Sequence, residues 1–361
     1  MADLRENRTF NIIKHVLLSS AVLFFSACTN GPSLQTNDAT KDAAIASQGE
    51  ELLFVGHDDG DLDIYLTNTH TGAVSKLTDN NRDDMHPAWS ADGKQIAYAS
   101  SEHGLYEIYV MNADGSNKRR ITDNQASEIT PQWSPDGESL VYVSDRDGAE
   151  QIYRYHFPTA TETALTSSET GAIQPEYSHS GHRIAYLERD GKKLLLKTMH
   201  ADGREQILLV EDLSIITMTW SPDSTQIAFS GRGKRINNLY SVDSESGVVS
   251  SLTDRQASDT SPVWLPSGES LIFLSSGDSF RAQAQIHRLD LNGNTEPVRL
   301  SDSGFEEMNI AVSKDGKKIG YVRYENRFFH TYVMDLDNGE TEKMAAQLGR
   351  AQLTPSFRPS S

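Results

Sequence analysis

From Leu52 onward the chain alternates short runs of apolar and β-branched residues with clusters of Gly, Asp, Asn and Pro. One stretch shows the pattern fully. Thr130-Pro131-Gln132-Trp133-Ser134 is followed by Pro135-Asp136-Gly137, then by Leu140-Val141-Tyr142-Val143-Ser144. Asp145 to Gly148 leads to Gln151-Ile152-Tyr153-Arg154-Tyr155, and Thr159-Ala160 leads to Thr163-Ala164-Leu165-Thr166. Pro presets φ at the first corner of a turn, Asp bonds its own backbone, and Gly accepts the positive φ that closes a hairpin. The stretch therefore predicts four antiparallel strands in a meander.

The same pattern returns along the chain. Trp133 has counterparts at Trp89, Tyr177, Trp220, Trp264 and Val312, in steps of 44, 44, 43, 44 and 48 residues, each followed by Ser or Leu and a turn. A further step of 45 reaches Phe357, close to the end of the sequence. The unit endings repeat as well, as Leu77-Thr78-Asp79, Ile121-Thr122-Asp123, Leu252-Thr253-Asp254 and Leu300-Ser301-Asp302. Repeats of this period, each holding several short strands, predict a propeller. A four-stranded sheet cannot bury both faces alone, and a ring of stacked sheets removes the difficulty, with the Trp or Tyr filling the space between blades.

Units begin near residues 86, 130, 174, 217, 261 and 309. Residues 51 to 78 hold three strands with no leading strand, and Thr354-Pro355-Ser356-Phe357 is a leading strand with nothing after it. Joined, they complete one more blade. The expected fold is all-β: a seven-bladed propeller of four-stranded antiparallel blades over residues 50–361, closed by strands from both termini. The alternative is a six-bladed ring with one end added as a strand.

The N-terminal region reads differently. Arg5, Arg8 and Lys14 precede an apolar run from Val16 to Ala27, too short to span a bilayer but suited to a signal peptide. Phe25-Ser26-Ala27-Cys28 resembles the lipobox of bacterial lipoproteins, in which the cysteine is lipidated. Residues 1–28 are thus expected to be a lipoprotein signal peptide ending at Cys28. Thr29 after that cysteine resembles an outer-membrane address, facing the periplasm or the cell surface. Residues 29–49 are rich in Thr, Asn, Asp, Ala and Ser, a composition that cannot bury enough surface to fold and predicts a flexible tether. Cys28 is the sole cysteine, so packing rather than an internal disulfide must stabilise the chain. A formal net charge of −18 repels phosphate backbones and argues against a nucleic-acid partner.

Pro-x-Trp-Ser-Pro-Asp-Gly, followed by Ile-Ala-Tyr, Ile-Tyr-Val-Met-Asn and Leu-Thr-Asp, resembles the propeller repeat of the TolB family and its relatives in tricorn and prolyl-oligopeptidase-type peptidases. The resemblance covers essentially all of residues 51 to 361 and implies the fold. TolB pairs a six-bladed propeller with an N-terminal α/β domain. Only about 20 residues separate Cys28 from the first strand, so the resemblance is to the propeller alone.

Peptidase relatives carry a hydrolase domain with Gly-x-Ser-x-Gly, which does not occur in this sequence; nor does His-Glu-x-x-His or a phosphate loop, and Gly231-Arg232-Gly233 lacks the third glycine of a dinucleotide site. No catalytic or metal-binding residue is assigned and no cofactor is expected. His179 and His182 flank a hairpin turn and read as surface residues. The acidic run from His57 to Asp63 has its Gly misplaced for a Ca²⁺ loop, although a bound cation is the alternative reading there.

Two features of the loop face stand out. A polar residue precedes each anchor: His86, Thr130, Gln174, Thr217, Ser261, Asn309 and Thr354, the expected ring at the channel mouth. Charge is also segregated, with Asp58, Asp59, Asp61, Asp83, Asp84 and Glu102 early, and Arg232, Lys234, Arg235, Arg281, Arg323 and Arg327 late. Tyr324, Arg327, Phe328, Phe329 and His330 combine aromatic and basic groups, the composition of interface hot spots and sugar platforms. The candidate binding face is therefore Arg232, Arg235, Arg281, Arg323, Tyr324, Arg327, Phe328 and His330. One expected function is a lipid-tethered, monomeric, non-catalytic module docking an envelope protein or peptide, its only membrane contact the lipid. The alternative is a lyase or binder of acidic polysaccharide. Seven-bladed uronate lyases resemble this architecture, and His86, Arg323 and Tyr324 are residues of the kind they need.

Overall fold

The computed structural model describes residues 50–359 apart from 58–59, 234–235, 278–281, 294–295, 347 and 349–350. Residues 1–49, with the expected signal peptide, Cys28 and the expected tether, lie outside the described residues, as do Asp58, Asp59, Lys234, Arg235 and Arg281. Seven four-stranded antiparallel sheets form the ring, so the seven-bladed expectation holds and the six-bladed one does not. The innermost strands, in order from blade 1, are Ala351–Phe357, Asp84–Trp89, Glu128–Trp133, Ala172–Tyr177, Ser214–Trp220, Ser258–Trp264 and Glu306–Val312. Blade 1 is closed from both ends: Ala351–Phe357 pairs antiparallel with Glu51–His57, which continues to Asp63–Asn68 and Val74–Lys76.

The repeated sequence motifs are local clasps. In the first turn, the Ser hydroxyl donates to the Asp carboxylate, at 2.7 Å in Ser90–Asp92, 2.6 Å in Ser221–Asp223 and 2.7 Å in Ser313–Asp315. That hydroxyl also accepts the N–H of the residue five positions on, such as Gln95, Gln226 and Lys318, at 2.9 Å each. These bonds hold Asp92, Asp223 and Asp315 below the usual carboxylate range. The unit ending works in a similar way. The hydroxyls of Thr78, Thr122, Thr166, Thr253 and Ser301 accept the backbone N–H of Ile64, Ile108, Ile152, Leu239 and Ile286 at 2.8–2.9 Å, tying the outer strand to its neighbour.

Packing explains the remaining pattern. Aromatic side chains of the second and third strands pair across six sheets: Phe54–Tyr65, Tyr98–Tyr109, Tyr142–Tyr153, Phe229–Tyr240, Phe273–His287 and Tyr321–Tyr332, with centroids 5.4–6.1 Å apart. Trp89 and Trp220 fill space between blades, and their indole N–H groups donate to the carbonyls of Ser356 (3.2 Å) and Glu176 (3.0 Å) on the preceding blade.

The closing strand buries Gln352, Leu353 and Phe357, and Arg358 beyond it pairs with Glu51. Truncation after Gly349 removes all of these contacts and exposes the edge of Glu51–His57. It is expected to lower the melting temperature by about 10 °C or more, read by circular dichroism; an unchanged melt would contradict closure.

Candidate functional site

All seven ring residues, from His86 to Thr354, line one central cavity of about 600 Å³. A β-bulge puts them there. In six blades two inner-strand residues face one buried aromatic of the second strand: His86-Pro87 opposite Tyr98, Thr130-Pro131 opposite Tyr142, Gln174-Pro175 opposite Tyr186, Ser261-Pro262 opposite Phe273, Asn309-Ile310 opposite Tyr321 and Thr354-Pro355 opposite Phe54. The first residue of each pair has φ between 51° and 54°, the left-handed region, which costs a non-glycine residue about 1 kcal/mol or more. Pro suits the second position because it has no N–H to contribute to the ladder.

Blade 5 departs from this pattern. Its shift falls at Ile216, Thr217 pairs with Ser230, and Thr217 is absent from the positive-φ residues. Its hydroxyl lies 2.8 Å from that of Ser230 and accepts the N–H of Ser261 at 3.2 Å.

The neighbouring blade supplies Glu176, the one carboxylate among the described residues of the cavity lining. The equivalent residues of the other blades are Ala88, Gln132, Thr219, Val263, Ala311 and Ser356, all uncharged. Glu176 Oε1 accepts the N–H of Trp220 at 3.2 Å and the hydroxyl of Thr219 at 3.4 Å. Burial nevertheless dominates and pushes its carboxyl up to about 7. This residue was missed in the sequence. Comparison of the residue before each anchor was the signal that could have found it.

On the loop face the candidates separate. Arg323 is not available there. Its guanidinium pairs with buried Glu307 at 3.1 Å, donates to the Tyr321 hydroxyl at 2.8 Å and lies 4.2 Å from the Tyr332 ring centroid. Arg146 of blade 3 makes the same clasp, pairing with buried Glu128 at 3.2 Å over the Tyr153 ring, so the arrangement belongs to the repeat. Tyr324 is half-buried and packs on Phe329 with centroids 4.8 Å apart. His330 is half-buried, 3.9 Å from Glu325, and its burial holds it below the ordinary histidine range. Arg327 and Phe328 remain exposed on the hairpin joining Lys318–Glu325 to Phe328–Asp335, and Arg232 is exposed at the end of Gln226–Arg232. Asn326 and Arg327, at φ 52° and 72°, make a two-residue turn of the kind that matches strand twist.

The early acidic residues are likewise not all surface charges. Asp84 is buried, accepts from Asn80 Nδ2 at 2.7 Å, and its carboxyl is pushed up to about 6 by that burial. Asp63, in the run considered for a cation, is buried and pairs with Lys76 at 2.9 Å. His179 and His182 are both exposed. Among the described residues no group of three or more His, Cys, Asp or Glu is arranged to hold a metal ion.

Two expectations follow for solution behaviour. Glu176 holds its proton in the folded state up to about pH 7, whereas the unfolded chain releases it near the usual carboxylate value. Its contribution to stability is therefore fully present below the unfolded value and is lost as pH rises towards 7. Glu176→Gln should flatten part of that decline and melt a few degrees above the parent at pH ~8 but not at pH ~4; parallel curves would show that Glu176 is not shifted. Arg323→Ala leaves Glu307 buried without its cation and should cost about 3 kcal/mol in denaturant unfolding, against less than about 0.5 kcal/mol for Arg327→Ala. Equal effects would contradict the clasp.

The sequence matches the family described as "TolB beta propeller domain" over residues 40–214 and 159–361. A curated relative, "Uncharacterized protein Atu1656" of Agrobacterium fabrum, is 28% identical over 145 residues, covering 38% of this chain; the match spans about half of that relative, 48% of its length. TolB from Acinetobacter baumannii is similar in structure with a TM-score of 0.57 at 16% identity, covering 86% of this chain and 67% of that one. An oligogalacturonate lyase from Vibrio parahaemolyticus gives a TM-score of 0.60 at 14% identity, covering 82% of this chain and 86% of that one. At such identities these likenesses speak to the fold alone. With its repeat, seven closed blades and the match along nearly its whole length, the chain belongs to the TolB β-propeller domain family.

Proposed function

We propose that this protein is a non-catalytic recognition propeller of the cell envelope, held to the outer membrane by lipid on Cys28 and docking an envelope protein or peptide on its loop face. The observation that carries this reading is the blade 7 hairpin. Its two strands of eight residues are matched in length by Arg183–Asp190 and Lys193–His200 of blade 4, but its tip offers Arg327 beside Phe328, 41% exposed. Tyr324 packed at a tilt against Phe329 supports the base of the tip. An exposed aromatic next to an arginine on a preorganised support is the make-up of an interface anchor. The lipobox and the Thr-, Asn- and Asp-rich segment after it support the anchored, tethered arrangement.

A uronate-binding reading is less well supported. Arg323, the cation it would use to offset a substrate carboxylate, is committed to Glu307, and the cavity presents a carboxylate of its own in Glu176. Once ionised, Glu176 repels an acidic sugar there rather than compensating its charge.

The test is capture from detergent-solubilised envelope with the full-length protein as bait, beside an Arg327→Ala/Phe328→Ala variant. A protein retained by the parent and reduced about tenfold or more by the double variant is expected. Equal capture by both would move the docking site elsewhere. Preference of the bait for anionic oligosaccharides over any protein would favour the sugar reading. Separately, Cys28→Ser is expected to release the protein from the membrane fraction; continued membrane association would refute anchoring through that residue.

A further inference from the structure

The central cavity has a chemical asymmetry that the loop-face reading does not use. Glu176 and His86 are the titratable side chains of its lining; the rest are hydroxyl, amide, proline and aliphatic groups. Both bonds to the Glu176 carboxylate fall on Oε1, from the Trp220 N–H and the Thr219 hydroxyl, and neither donor carries a charge. Around the same lining, Thr130 Oγ1, Thr354 Oγ1 and Asn309 Nδ2 are buried with no partner in the protein. Buried polar atoms without partners are costly, so water or a ligand filling the cavity must supply the bonds that the protein does not. The volume, about 600 Å³, is in the range of small-molecule pockets.

We propose that the central cavity binds a small organic monocation bearing a primary ammonium and a hydroxyl, with Glu176 as its counter-charge. An ammonium has three donors and no acceptor, which matches a carboxylate bonded on one oxygen only. A hydroxyl on the same molecule can both donate and accept, which suits a lining of threonine hydroxyls and the Asn309 amide. A formal net charge of −18 raises the local concentration of cations around the protein. A divalent metal fits less well, because one carboxylate and one imidazole are too few donors for a protein cage. The strain of six left-handed residues on the inner strands also has a use here, since it turns their side chains into a preorganised lining.

The test is calorimetric titration of the full-length protein with ethanolamine at pH ~8, where Glu176 is ionised. Ethylene glycol serves as the uncharged counterpart. Saturable binding of ethanolamine in the millimolar range is expected, with little or none for the glycol. Glu176→Gln should weaken ethanolamine about tenfold or more, the loss of one charge-assisted bond. Should that variant fold poorly, Glu176→Asp keeps the charge but withdraws it by one methylene, and a several-fold weakening is expected from it. Equal binding of glycol and ethanolamine, unchanged affinity in the folded variants, or no saturable heat up to about 50 mM would each overturn the proposal. Because Arg327 and Phe328 are not involved, their double variant should titrate as the parent does, which separates this site from the loop face.

Discussion

Burial of both sheet faces is the constraint on which the rest of this structure depends. A four-stranded antiparallel sheet with apolar side chains on each side has no stable existence by itself, and a stack of such sheets would still end in two exposed faces. Closing the stack into a ring removes the ends. Here the closure is non-covalent and made by pairing Ala351–Phe357 with Glu51–His57, so the first and last segments of the propeller hold one blade together. With no cysteine after Cys28, nothing but this pairing and the packing around it locks the ring.

The polar residues most visible in the repeat turn out to be structural. Ser and Asp of the first turn satisfy one another and the backbone, and the Thr of the unit ending ties the outer strand to the third strand. Several acidic residues that look like surface charge are paired inside the blades, Glu128 with Arg146, Asp259 with Arg255 and Glu307 with Arg323. Breaking one of these pairs exposes an uncompensated carboxylate to a low-dielectric setting, which costs far more than the intact pair contributes. These carboxylates are thereby committed to architecture. The exposed tip of the blade 7 hairpin and Glu176 fall outside the repeat and have no such pairing duty.

Asymmetry in a repetitive ring concentrates chemical information. Six blades use the same bulge opposite a buried aromatic, and blade 5 does not. Glu176 sits where those two geometries meet, its carboxylate bonded by the inner strand of blade 5. Beside His86, the cavity thus acquires one carboxyl, pushed well above the usual carboxylate range by its burial.

The sequence by itself determined the architecture, because the period, the turn residues and the anchor aromatics act locally and repeat. Seven blades, closure by both termini and a polar ring on the inner strands were all legible from spacing. What remained to the tertiary structure was the environment of each charge. Arg323 and Arg327 stand four residues apart in one hairpin and look alike in sequence, yet one is clasped over Tyr332 against Glu307 and the other is in solvent. Asp84 reads as a loop charge in sequence and is buried, and Glu176, which no sequence motif marks, lines the central cavity. These differences arise because the partners come from distant segments and adjacent blades, and desolvation depends on what is packed around a group rather than on its neighbours in the chain.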